Sequence, residues 1–287
     1  MSSKTSVLTV ADLHRNGALL EALEKVIAGH RPAVVALVGD FLDAGEDHEG
    51  RVTTRVCAQL LARLPCAAIV FVRGNHEEVE WSEFAKHWET QGRAVPALHG
   101  EAFHHGPMTF VGFPCFMGDE SAFPGDPPPL PTGSDEWLPE VMRSEGRASR
   151  TLWLMHEPPA DTPLTESESP VEGNPETVQA IGRFSPWLTA SGHDHGTPIK
   201  THRWYDRIGQ TTCVNVGQTE NGPLHYCLIE AEFQDAARSL PIRMQVTAYP
   251  WKETIALPAG VLVKGTKHPA DALPEKPTSA TARRAAP

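Results

Sequence analysis

The stretch Phe71-Val72-Arg73-Gly74-Asn75-His76-Glu77 decides how the chain is read. The apolar run Ala67 to Val72, with β-branched Ile69 and Val70, predicts a buried strand. Gly74 breaks it, three polar residues follow in a row, and helix-forming sequence resumes at Glu78. Strand, glycine turn and then polar chemistry is how a layered α/β protein presents functional groups at the carboxyl end of a sheet. Asn75 offers a metal a neutral oxygen, His76 a titratable nitrogen, and Glu77 a carboxylate to hold that histidine in place. Gly-Asn-His also occurs in ordinary turns, so the reading depends on what other strands bring to the same edge.

Upstream, Ser6 to Ala11 is strand-like and stops at Asp12-Leu13-His14. Residues two apart in extended chain face one side together, so Asp12 and His14 share a face. Gly17 to His30 places Leu19, Leu20, Leu23, Val26 and Ile27 at amphipathic-helix spacing, and Pro32 closes the connection. Ala33 to Val38 is a second apolar run, ending in Gly39-Asp40 with Asp43 three residues on. Val52 to Leu64 predicts a helix, and Glu78 to Trp88 another, packed through Val79, Phe84 and Trp88. This alternation predicts a layered α/β fold.

Downstream, short apolar stretches around Leu98, Phe103 and Met108 to Phe113 predict a hairpin within 94–114. Met117 to Pro139, which includes Pro127-Pro128-Pro129, is too polar for core and predicts an exposed excursion. Thr151 to Met155 returns to strand and ends in His156-Glu157-Pro158-Pro159. A helix is expected over Pro175 to Phe184, and Trp187 to Ser191 runs into Gly192-His193-Asp194-His195. Strand-like segments at Thr211 to Val216, Tyr226 to Phe233 and Arg243 to Ala248 make the later chain richer in strand. Residues 1–257 are expected to form one domain, and the Ala, Pro, Lys and Thr content of 258–287 predicts a mobile, weakly basic tail. The acidic stretches 44–50 and 161–172 read as solvated faces.

Composition narrows the classes of function. A formal charge of −11 over 287 residues disfavours a nucleic-acid partner, which calls for clustered Lys and Arg. It leaves room for a small anionic substrate, because a metal cluster brings positive charge of its own. No window reaches the length of a membrane span, and Met1 to Thr5 lacks the basic-then-apolar pattern of a signal segment. Five scattered cysteines without a Cys-x-x-Cys pair point to a reducing compartment, with the cytoplasm as the default location. The 14 histidines are what most needs explaining.

Five apolar runs end in metal-competent groups: Asp12 with His14, Asp40, Asn75 with His76, His156, and His193 with His195. Mixed imidazole nitrogen and carboxylate or amide oxygen suits Mn²⁺, Fe or Zn²⁺ better than Ca²⁺ or Mg²⁺. The set is also too large for one ion. Two ions about 3.5–4 Å apart, sharing a carboxylate, form the arrangement that clamps a phosphoryl group and generates hydroxide near neutral pH.

The series Asp12-x-His14, Gly39-Asp40-x-x-Asp43, Gly74-Asn75-His76-Glu77, His156 and Gly192-His193-x-His195 resembles the calcineurin-like metallophosphoesterase superfamily. Within it the chain is most similar to the bacterial Icc-related, cyclic-nucleotide phosphodiesterase-like branch. His156-Glu157-Pro158-Pro159 and the run from Arg207 to Gly217 carry that narrower likeness. The resemblance implies a four-layer α/β/β/α sandwich of two mixed β-sheets flanked by helices, with a dimetal site at the strand C-terminal ends. It implies that Asp12, His14, Asp40 and His195 hold one ion, and that Asp40 bridges to a second held by Asn75, His156 and His193. His76 is then the general acid, Glu77 sets its charge and orientation, and a metal-bridging hydroxide attacks phosphorus in line. Glu77 stands where many relatives have Asp, His14 is not followed by Gly, and Asp43 is followed by Ala-Gly, all of which argue against a protein Ser/Thr phosphatase.

The expected activity is hydrolysis of a small phosphodiester, with a nucleotide among the candidate substrates. The rivals are a phosphomonoesterase or nuclease on the same centre, or a scaffold that has stopped catalysing. Asp43 is read as a supporting carboxylate outside the ligand set. Arg15 and Arg73 flank ligand turns and are candidates for phosphate contact, with an ion pair to nearby acids as the other reading. Trp81, Trp88, Trp153 and Trp187 are assigned to packing, Asn215 and Gln218 to a turn, and the remaining histidines to no role.

Overall fold

Side-chain alternation along three parallel strands separates two cores. In the computed structural model these are β1 (Ser3–Val10), β2 (Val34–Val38) and β3 (Ala68–Val72). Val7, Val34, Ala36, Val38, Val70 and Val72 belong to one buried cluster, while Leu8, Val10, Val35, Leu37, Ile69 and Phe71 belong to another. A strand buried on both faces reads as an unbroken apolar run, which is why these were visible in the sequence. The described residues are 3–43, 49–92, 97–98, 100–113, 151–165, 173–233 and 241–257.

The other strands are β4 (Ala102–His105), β5 (Met108–Phe113), β6 (Thr151–Met155), β7 (Leu188–Ala190), β8 (Tyr205–Ile208) and β9 (Thr211–Val214). They are followed by β10 (Tyr226–Phe233), β11 (Pro241–Tyr249) and β12 (Glu253–Leu257). One six-stranded sheet runs β12-β11-β10-β1-β2-β3 and the other β4-β5-β6-β7-β9-β8. Both are mixed. β10, β11 and β12 are antiparallel in the first, and β4 and β8 are antiparallel edges of an otherwise parallel second sheet.

The cluster holding Val7 and Val34 also takes Phe110, Leu152, Leu154, Leu188 and Val246, so it lies between the sheets. Helices α1 (Gly17–His30), α2 (Thr54–Ala62) and α3 (Glu77–Glu89) cover the outer face of the first sheet. α4 (Pro175–Phe184) covers the second through Ala180, Ile181 and Phe184 against Trp153 and Met155. The result is the four-layer α/β/β/α sandwich that the resemblance implied. α1 buries Leu19, Leu20, Leu23 and Ile27, at about 1.5–3 kcal/mol for each large apolar side chain. That face, more than intrinsic propensity, fixes the helix. Asn16 caps it by accepting from the N–H groups of Ala18 and Leu19 at 3.0 and 3.2 Å.

Three elements were not foreseen: β8, β12 and the short helix α5 (Thr197–Thr201). β8 and β12 are sheet edges, β8 alternating with solvent and β12 largely exposed, so neither shows a buried apolar run. The acidic residues 44–48, the excursion 117–139, residues 166–172, Cys115, the Val79 side chain and the tail 258–287 lie outside the described residues. Among the described residues no helix is long and apolar enough to cross a membrane.

Candidate metal centre

Strand ends from both sheets meet where the two layers join. Past the end of β1 and β2 the backbones stay bonded: Asp12 N–H to Gly39 C=O (3.1 Å), His14 to Asp40 (2.9 Å) and Arg15 to Phe41 (3.0 Å). His156, immediately after β6, crosses to the first sheet and places Nδ1 2.9 Å from the Val38 carbonyl. A carbonyl only accepts, so Nδ1 carries a proton and Nε2 is left facing the site. The loop after β7 is tied in by Asp12 Oδ1, which accepts the His193 N–H at 3.1 Å. Gly39 (φ +84°) and Gly74 allow this approach, because a side chain at the first would meet the His156 ring and at the second the Asp40 carboxylate.

Ligand-type atoms of Asp12, His14, Asp40 and His195 lie within 4.8 Å of one another, and so do those of Asp40, His156 and His193. Asp40 belongs to both groups. Asn75 Oδ1 lies 3.2 Å from His156 Nε2, so the amide oxygen adjoins the second group. His156 Nε2 is 3.1 Å from Asp40 Oδ2, His195 Nε2 is 3.6 Å from Asp12 Oδ1, and His14 and His195 set their Nε2 atoms 3.2 Å apart. The seven residues expected as ligands are therefore brought together. The donor set fits cations: Asp12 Oδ2 is buried without a hydrogen-bond partner, and two buried carboxylates face a cluster of imidazoles. Asp12, His14, Asp40 and His193 also hold left-handed backbone (φ 57°, 45°, 50° and 65°), a conformation costing about 1–3 kcal/mol that clusters at functional sites.

The electrostatics of the protein alone are those of an uncompensated site. Burial raises the Asp12 pKa, with the Asp40 charge adding to it against the pull of the histidines. Burial would also raise Asp40, but the charge and hydrogen bond of His156 carry it well below the usual carboxylate range. His156 is the counterpart: burial opposes its charge, yet Asp40 lifts it to about 10. Burial holds His14 down at about 3 and His193 at about 4, so both are neutral and offer lone pairs.

His76 stands at the mouth, its side chain about one-third exposed, with its ring centroid 4.6 Å from that of His14. Its carboxylate neighbour is Asp43, not Glu77. Asp43 Oδ1 lies 3.4 Å from His14 Nδ1 and 3.7 Å from His76 Nδ1, while its Oδ2 accepts from Arg51 Nε at 2.9 Å. Glu77 is fully buried and accepts the backbone N–H groups of Asp40 (2.9 Å), Leu42 (2.9 Å) and Gly74. As the first residue of α3 it turns away from His76, so it fastens two ligand loops together. Burial and the nearby Asp40 charge push its pKa up to about 7.

Of the two readings given to Arg15 and Arg73, a phosphate contact or an ion pair to a nearby acid, Arg15 makes the ion pair. Arg15 is buried, with Nε 3.1 Å from Glu80 Oε2 and its guanidinium donating to Val52 C=O at 2.7 Å. Arg73 is buried with its guanidinium 5.2 Å from the Trp81 ring centroid. Both link structure around the site. Sequence reasoning did not assign Arg51 or Asp194 a part. Asp194, between the two histidines, accepts from the backbone N–H groups of Gly196 (3.1 Å) and Thr197 (2.9 Å) and so holds the turn that leads into α5. Asn215 donates to the Gly192 and Asp194 carbonyls at 3.1 Å each, the turn role expected of it. A small acid between two candidate ligands, just before a helix start, was the available signal for Asp194; Arg51 had none.

The family model described as calcineurin-like phosphoesterase matches residues 5–197, which include every candidate ligand. Among solved structures, a dimetal phosphatase from Danio rerio is 15% identical with a TM-score of 0.56, over 89% of this chain and 99% of that one. A protein from Thermus thermophilus is 16% identical with a TM-score of 0.56, over 79% of this chain and 94% of that one. A purple acid phosphatase from yellow lupin is 13% identical with a TM-score of 0.53, over 86% of this chain and 52% of that one. At these identities the likeness is one of fold. Among curated proteins no sequence matches.

Proposed function

The chain belongs to the calcineurin-like phosphoesterase family, and on that premise we propose that it hydrolyses a small phosphodiester at two divalent transition-metal ions, manganese, iron or zinc. The observation that most supports this is the sharing of Asp40 between two groups of ligand atoms. Asp12, His14, Asp40 and His195 would hold one ion, and Asp40, Asn75, His156 and His193 the other. Bound there, the pair supplies Lewis-acid charge for the phosphoryl oxygens and lowers the pKa of water.

The chain's own groups complete the reaction. His76 is exposed enough to meet a substrate and close enough to His14 to lie beside the phosphoryl group, so it would protonate the leaving oxygen. Asp43, whose Oδ1 lies 3.7 Å from His76 Nδ1, is the carboxylate placed to orient it, and Arg51 fixes Asp43 from the other side. Preference for a diester rests on the likeness of residues 156–159 and 207–217 to the Icc-related branch. The acidic composition argues against nucleic acid. Cys57, Cys66, Cys213 and Cys227 are free thiols, which supports a reducing, cytoplasmic setting.

The test is hydrolysis of an aryl phosphodiester against the matching monoester, with Mn²⁺ and with chelator. Diester turnover that chelation stops is the expected result. Monoester preference would favour a phosphomonoesterase, and two bound ions without turnover a silent scaffold.

A further inference from the structure

The last thirty residues carry a motif that the metal centre leaves unused: Pro274-Glu275-Lys276-Pro277. Two prolines three residues apart share one face of a polyproline II helix, which repeats every three residues and which proline itself largely preforms. Residues 258–287 lie outside the described residues; their length, charge and point of departure limit what they can reach.

A depression of about 720 Å³ offers the matching surface. Ile199, His202, Glu220, Pro223, Pro250 and Trp251 are among its walls. The Trp251 ring meets those of His202 and His225, with centroids 5.7 and 5.2 Å away. His202, Glu220, Pro223 and Pro250 are exposed, so the depression is open. An open aromatic surface suits a rigid chain lying across it, the way proline-rich segments are recognised. It suits a small molecule less, because such a ligand is normally enclosed.

The geometry of the tether favours this surface. Trp251 stands two residues before β12, and the pairing of Ala248 with Glu253 and of Met244 with Leu257 carries β12 back along β11, away from the depression. At about 3.3 Å per residue, Leu257 lies roughly 15–20 Å from Trp251. Residues 258–273 separate Leu257 from Pro274. A flexible linker of that length has an r.m.s. span of roughly 20–24 Å. Span and linker match, the condition under which a tethered segment reaches its highest effective concentration, of millimolar order. Contacts too weak to hold a free peptide are then sufficient. Charge agrees: Lys264, Lys267, Lys276, Arg283 and Arg284 against Asp271 and Glu275 give the segment a net +3, in a chain of formal charge −11. The acid in the wall is Glu220, its side chain 69% exposed.

We propose that Pro274-Glu275-Lys276-Pro277 docks in this depression within its own chain, the prolines against Trp251 and His202 and the Lys276 ammonium beside the Glu220 carboxylate. The rigid prolines lose little conformational freedom on docking, and residues 258–273 serve as the tether. Neither the metal ions nor hydrolysis enters into the contact.

The test is photo-cross-linking in the full chain, with p-benzoylphenylalanine in place of Glu275. Digestion and mass spectrometry should place the cross-link on residues 199–202, 219–225 or 250–251, and a denaturing gel should show a single chain. Pro274→Ala combined with Pro277→Ala should cut the cross-link tenfold or more, and Trp251→Ala should do the same. The paired proline substitutions leave both sheets untouched, so they keep the test valid if loss of Trp251 unsettles the fold. Cross-links confined to β12, or spread over the surface and unchanged by the proline substitutions, overturn the proposal. So does a cross-link joining two chains, which would give the depression to a second copy. The absence of any cross-link overturns it as well and would leave the depression to a separate partner.

Discussion

The Glu77 carboxylate accepts the Asp40 backbone N–H at 2.9 Å, so the residue common to both candidate metal groups hangs from the first turn of α3. The same carboxylate takes the N–H groups of Leu42 and Gly74 and thereby locks the β2 and β3 turns into register. Each buried donor left unpaired costs about 1–3 kcal/mol, so Glu77→Ala should lose roughly 3 kcal/mol or more of stability. Thermal unfolding should show a clear drop in Tm, with weaker metal binding. If Glu77 instead served His76, the variant would keep its Tm and lose only turnover.

His76 and Asp43 form the complementary case. Neither group holds the loops together in the way Glu77 does, and Asp43 Oδ1 faces both His14 and His76. His76→Ala should bind two metals and unfold near the parent temperature while hydrolysis slows by about 10²–10⁴-fold, the range of general acid catalysis. The loss should shrink with an activated leaving group that needs no proton. Asp43→Asn should follow the same leaving-group trend with a smaller defect, of order 10–100-fold. A leaving-group dependence unchanged in His76→Ala would remove the acid role.

These two cases mark where sequence reading works and where it stops. The clustering of the candidate ligands was legible because each closes an apolar run, and a run buried on both faces has one polar end to offer. Strand β6, helix α4 and strand β10 stand where their apolar patterns place them. Glu77 was misassigned because adjacency in sequence was taken for adjacency in space. At the start of a helix successive residues turn about 100° apart, so the neighbour of His76 faces the interior. Arg51 reaches Asp43 across eight residues with no periodicity to announce it. β8 and β12 were missed because an edge strand shares its pattern with a loop.

Asp40 tests the pairing of the ions directly. It joins the group of Asp12, His14 and His195 to that of His156 and His193, and its Oδ1 also accepts the His76 N–H at 2.9 Å. Asp40→Ala should reduce bound metal from two ions per chain to one or none by elemental analysis, and abolish turnover. Asp12→Ala removes a ligand from one group alone and should leave one ion bound. A dimetal, active Asp40→Ala protein would end the bridging assignment.

Proton release provides the remaining prediction. In the metal-free chain burial opposes the His156 charge, but Asp40 raises the pKa from 6.5 to about 10, so the imidazole is protonated at neutral pH. A cation needs the Nε2 lone pair, and that proton must leave when it binds. The sign follows from the raised folded value. His156 stabilises the metal-free fold fully below pH 6.5, and this contribution is lost as pH rises toward about 10. Metal affinity runs the other way, rising up to about tenfold per pH unit for each proton displaced in that window. The raised pKa of Asp12 adds in the same direction at the acidic end. Calorimetric titration with Mn²⁺ at pH 7.5, repeated in buffers of different ionisation enthalpy, should therefore show release of about one proton per chain. In His156→Gln the release should vanish along with one ion. Affinity that stays flat between neutral and alkaline pH, with no proton released, would mean that His156 does not enter the fold as an imidazolium paired with Asp40.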